Sequence, residues 1–86
     1  MADYVDITVL FFAKAKDLSG VRKSNLRVKT KISYAELKRI VCEQFGLEII
    51  KDNFLLALNE VYCGEEDQLV IKNKDELAIV PPLSAG

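Results

Sequence analysis

Histidine is absent from this chain, and its absence is the strongest limit on the chemistry. Without it, no Ser–His or Cys–His pair can activate a nucleophile within the chain. The usual zinc ligand set is missing too. The two cysteines, Cys42 and Cys63, stand far apart, form no Cys-x-x-Cys and cannot replace it, so no metal site is expected. The four glycines, at positions 20, 46, 64 and 86, are too scattered for a phosphate-cradling loop. No apolar run approaches the roughly 20 residues that cross a bilayer as a helix. Neither sign of charge dominates, since 12 basic and 13 acidic side chains leave a net charge of −1. That balance argues against nucleic acid or an anionic membrane as the main partner. Met1-Ala2-Asp3-Tyr4 shows no basic segment leading into an apolar one, so a cytosolic (cytoplasmic) protein is expected. In that reducing compartment Cys42 and Cys63 are expected as free thiols that fill space. A self-contained enzyme is not expected.

What is present describes a small globular domain. Half of the 86 residues are apolar and 29% are charged. Such a chain buries roughly 60–65% of its unfolded surface, enough for one modest core. Val5 to Phe12 alternates as a strand, with Val5, Ile7, Val9 and Phe11 on one face and Thr8, Leu10 and Phe12 on the other. Ala13 to Gly20 is expected as a connection, and Asn25 to Lys31 as a second strand closing an N-terminal hairpin. In that strand Leu26 and Val28 face inward and Arg27, Lys29 and Lys31 face water. Ser33 followed by Glu36 forms a capping box, with Ile32 and Leu37 placed as a hydrophobic staple. Leu37, Ile40, Val41 and Phe45 then recur at helical spacing until Gly46 stops the helix. Phe54 to Leu58 is a strand, Asn59-Glu60 a tight turn, and Val61-Tyr62-Cys63 a short strand. The acidic run Glu65-Glu66-Asp67 is expected as solvated surface, Asn73-Lys74-Asp75 as a turn, and Glu76 to Val80 as the last strand.

Strand, strand, helix, strand, short strand, strand on fewer than 90 residues fits an α+β ubiquitin-like β-grasp. Its sheet would be mixed and four- to five-stranded, with one main helix packed on one face. The first and last strands would lie parallel at the centre, which accounts for their strongly apolar composition. The uncovered sheet face, with Tyr62 and Val80 as candidates, would serve as a partner surface. Residues 1–80 would form the domain and 81–86 a flexible C-terminal tail. Pro81 and Pro82 lack the N–H that a ladder needs, so pairing ends there. Leu83, Ser84, Ala85 and Gly86 are mostly small, and a terminal glycine leaves its carboxylate unhindered.

Three segments together resemble a known family, the ubiquitin-like sulfur carriers that form the small subunit of molybdopterin synthase. They are Val9-Leu10-Phe11-Phe12-Ala13-Lys14 with Leu18-Ser19-Gly20, then Ala57-Leu58-Asn59, then Asp75 through Ser84 with its paired prolines. The resemblance implies a non-catalytic carrier with no bound cofactor. A partner adenylyltransferase, similar to ubiquitin-activating enzymes, would consume ATP to adenylate Gly86. A sulfur donor would then leave a C-terminal thiocarboxylate. The tail, Pro81 to Ala85, would enter the large subunit, where sulfur passes to a pterin precursor of the molybdenum cofactor. Two carriers would flank a large-subunit dimer, a heterotetramer without nucleic acid or membrane. The family ends in Gly-Gly, whereas this chain has Ala85 before Gly86, so thiocarboxylate formation is the step expected to suffer. Competing readings are a carrier for thiamine synthesis or tRNA thiolation, an interaction domain with no sulfur transfer, and an enzyme using Cys42 or Cys63.

Overall fold

Ten short elements build the fold in a computed structural model that describes residues 3–82. They are β1 (Tyr4–Phe11), α1 (Ala13–Ser19), β2 (Lys23–Lys29), β3 (Lys31–Ser33), α2 (Tyr34–Phe45), a 3-10 turn (Glu48–Ile50), β4 (Leu55–Leu58), β5 (Val61–Tyr62), β6 (Gln68–Val70) and β7 (Glu76–Val80). Five strands form one sheet in the order β2-β1-β7-β4-β5, and β3 pairs with β6 in a separate ribbon. β1 and β7 run parallel in register Thr8↔Glu76 to Phe11↔Ile79, while all other pairs are antiparallel. This mixed sheet with its main helix is the expected β-grasp, the first and last strands side by side.

Alternation along the strands decides which side is covered. Ile7, Val9, Phe11, Leu26, Val28, Leu56, Leu77 and Ile79 turn inward and pack with Leu37, Val41 and Cys42 of α2 in one core. Each aliphatic side chain buried this way contributes roughly 1.5–3 kcal/mol. Phe11 meets Phe45 edge-on, ring centroids 4.8 Å apart. α2 starts where its sequence signals place it. The Ser33 hydroxyl accepts the Glu36 N–H at 3.1 Å, and Ile32 and Leu37 are both buried. Gly46 ends it in the left-handed region at φ 71°, donating to the Cys42 carbonyl.

Several expectations need correction. Most of the expected connection, Ala13–Ser19, is the helix α1, so β1 and β2 are antiparallel neighbours joined through it, with no tight hairpin. Seven residues with one buried side chain, Ala15, are too few to display a helical stripe, and Phe12 at the N-cap offers no capping oxygen. The second strand lies at 23–29, and Lys31 belongs to β3, whose partner β6 is held mainly through the buried Leu69. The Asn59-Glu60 turn is present, with both residues at positive φ (50° and 70°), the geometry of a two-residue type I′ hairpin.

Candidate functional site

The sheet registers place a cross-strand row on the uncovered face: Lys23, Leu10, Ala78, Ala57 and Tyr62, one residue per strand from β2 to β5. Directly paired residues point the same way, so these side chains share one surface. Val80 and Leu55 pair in the next row, and Phe12 follows two positions after Leu10. Tyr62 is 51% exposed and Phe12 46%, while Leu10, Leu55, Ala78 and Val80 are half-buried. Ala57, in the middle of the row, is buried at 6% exposure, so the strip is open chiefly at Tyr62 and Phe12. Exposed apolar side chains grouped in this way make the strip a candidate partner surface. Tyr62 and Val80, expected as docking residues, therefore lie on one face. Alternation alone places Leu10 and Phe12 on the second face of β1 but not beside Tyr62 and Val80. Leu55, Ala57 and Ala78 were missed, since only the register joins them.

β7 runs into Pro81 and Pro82 at the same end of the sheet. The Phe12 N–H donates to the Ile79 carbonyl at 3.2 Å, the last such bond between these strands before Pro81. Pro81 and Pro82 are exposed. A small cleft of about 30 Å³ flanks the exit, with Phe12, Lys14, Asn53, Phe54 and Pro81 among its walls. Lys38 holds that wall in place. Its ammonium donates to the Phe54 carbonyl at 3.1 Å and sits 4.7 Å from the Phe54 ring centroid and 5.7 Å from that of Tyr34. Leu83, Ser84, Ala85 and Gly86, the rest of the expected tail site, lie outside the described residues.

The opposite end of β7 is bolted down. Asn59 donates its N–H to the Glu76 carbonyl at 2.8 Å, and its side-chain oxygen accepts the Glu76 N–H at 2.9 Å. The buried Asp75 carboxylate accepts the Lys72 N–H at 2.8 Å, and the Asp75 carbonyl accepts the Thr8 N–H at 3.0 Å. Asn59 and Asp75, two residues of the segments that carry the resemblance, thus anchor β7, the strand that leads to Pro81.

The remaining chemistry-bearing groups serve the scaffold. Cys42 is buried in the core and Cys63 half-buried, and burial pushes both thiols above their ordinary value. Neutral thiols suit packing, not nucleophilic attack. The Tyr34 hydroxyl is buried with no hydrogen-bond partner among the described residues, and burial raises its pKa as well. In the acidic run, Asp67 accepts the Gly64 N–H at 2.7 Å and staples its own loop, while Glu65 and Glu66 are exposed.

Residues 9–86 match the model of the ThiS family. The molybdopterin synthase sulfur carrier subunit of Drosophila erecta is 45% identical over 83 residues, covering 95% of this chain and 92% of that protein. Among solved structures, the small archaeal modifier protein 1 of Methanosarcina acetivorans superposes with a TM-score of 0.73 at 16% identity, over 98% of this chain and 99% of that one. The complex of subunits 1 and 2 of molybdopterin-converting factor from Helicobacter pylori matches with a TM-score of 0.62 at 24% identity, over 95% of this chain and 100% of the matched one. At those identities the two structures speak to the fold alone.

Proposed function

The chain belongs to the ThiS family, as one of its molybdopterin synthase sulfur carrier subunits, and from that premise we propose how it carries the sulfur: as a thiocarboxylate on Gly86. The observation that carries the reading is the shared end of the sheet. β7 delivers Pro81 and Pro82 beside an uncovered apolar strip that includes Tyr62 and Val80. A body that docks by this face hands its tail to the same partner.

The Gly86 carboxylate attacks the α-phosphate of ATP on the activating enzyme, releasing pyrophosphate and forming an acyl-adenylate. A sulfide-level donor then attacks the acyl carbon, the C–S bond forming as the C–O bond to AMP breaks, which leaves the thiocarboxylate and AMP. The tail, Pro81 through Ala85, next threads into the large subunit of the synthase, where the sulfur passes to the pterin precursor. The activating partner supplies the nucleotide site, and the large subunit supplies the groups that act on the pterin. This chain contributes the docking strip and the carboxyl terminus. Two copies flank a large-subunit dimer in the cytosol. No helix among the described residues is long and apolar enough to cross a membrane.

The test is an intact mass of the chain after incubation with the cognate adenylyltransferase, ATP and a sulfur donor. A gain equal to one oxygen replaced by sulfur, mapped to Gly86, is expected. The Cβ of Ala85 narrows the backbone freedom next to the reacting carbon. Activation is therefore expected to run faster in Ala85→Gly. Loss of Ala85 and Gly86 abolishes the gain. A chain that gains nothing in either the native or the Ala85→Gly form is not a sulfur carrier.

A further inference from the structure

A second hollow lies at the tail end of the open face, on the other side of Phe12. It encloses about 420 Å³ between the end of β1, α1 and the start of β2. Leu10 and Phe12 supply an apolar floor, and Lys16, Arg22 and Lys23 form the rim. No acidic side chain lines it. The ion pairs among the described residues are Asp6–Arg27 and Arg39–Glu43, so the three rim cations have no carboxylate partner there. All three are exposed. The net charge of the chain is −1, so this cluster does not follow from a general excess of positive charge. A hollow farther along the same face, lined by Asp6, Thr8, Asn25 and Lys74 among others, carries both signs.

Protection of a sheet edge explains part of the pattern. β2 is an edge strand, and Lys23, Arg27 and Lys29 alternate along it as edge-blocking charges do. Lys16 on α1 and Arg22 before the strand lie off that ladder and need another reason. Phe12 is the common wall of this hollow and the tail-exit cleft, so a segment seated here would touch the carrier beside its departing tail.

We infer that the Lys16–Arg22–Lys23 hollow receives an acidic segment of the large subunit of molybdopterin synthase, steering and orienting the carrier as its tail engages. This rests on the carrier reading above. Three cations over an apolar floor, continuous with the docking strip, fit carboxylates on a protein surface. A nucleic acid would call for a broader basic footprint.

The test is stopped-flow association of the full chain with its cognate large subunit at low and high salt. Lys16→Glu/Arg22→Glu/Lys23→Glu is expected to slow association about tenfold to a hundredfold at low salt and to flatten its salt dependence. The neutral variant Lys16→Gln/Arg22→Gln/Lys23→Gln falls between, which guards against misfolding as the cause. Lys31→Glu/Lys51→Glu/Lys72→Glu changes net charge equally at exposed positions away from the hollow, and it should alter the rate less than about threefold. Equal slowing by both charge-reversal sets, or no slowing by the first, overturns this inference alone. Failure of the native chain to associate at all overturns the carrier's docking together with it.

Discussion

The two faces of the five-stranded sheet are both apolar along their middle strands, yet only one is covered. On the inner face Ile7, Val9, Leu56, Leu77 and Ile79 are sealed against α2. On the outer face Leu10, Leu55, Ala78 and Val80 stop half-buried, with Tyr62 and Phe12 open to solvent. One helix suffices to hide one face of a sheet this size. On the function proposed above, the chain keeps its fold on one side and offers the other for docking. Substitutions on the two sides should separate stability from binding.

The largest effect is expected inside. Leu77→Ala removes a fully buried side chain and should cost about 2–5 kcal/mol, read as a lower midpoint in chemical denaturation. Loss of that size consumes much of the stability typical of a small domain. The outer face should answer differently. Tyr62→Ala and Val80→Ala are expected to weaken binding to the large subunit by about 1–3 kcal/mol each in titration calorimetry. Their stability should change by less than about 1 kcal/mol. If Tyr62→Ala melted the chain as Leu77→Ala does, the distinction between the faces would collapse.

Two smaller effects bear on stability alone. Glu60 sits at φ 70° in the β4–β5 hairpin, so Glu60→Gly should stabilise by about 0.5–1 kcal/mol while leaving partner binding unchanged. Burial holds the Cys42 thiol above its ordinary 9.0, so the folded chain retains a proton that the unfolded chain releases. That contribution is complete below about pH 9 and is lost as pH rises through the higher folded value. Thermal melts across this range should show a decline that Cys42→Ala makes shallower. Tyr34, raised from 10.0, should extend the decline to higher pH.

Legibility in the sequence followed how local each determinant is. α2 could be read because its cap, staple, stripe and stop all lie within fifteen residues of one another, from Ile32 to Gly46. The parallel centre could be read because β1 and β7 are apolar enough to need burial. α1 and the β3–β6 ribbon could not, since each has a single strongly buried side chain or little more and is held by its surroundings. The proposed docking strip was half legible. Alternation set Leu10 apart from Val9, but only register brings it into line with Tyr62 three strands away. The Asn59–Glu76 clamp joins residues 17 apart, and no local pattern announces it.

The most direct test of the two-faced account is a methyl NMR titration of the labelled chain with the large subunit. The account predicts that Leu10, Leu55 and Val80 shift first and furthest, while the exposed Ile49, which follows α2 in the 3-10 turn, stays in place. Shifts centred on Ile49 and the α2 side, with Leu10, Leu55 and Val80 unmoved, would contradict it.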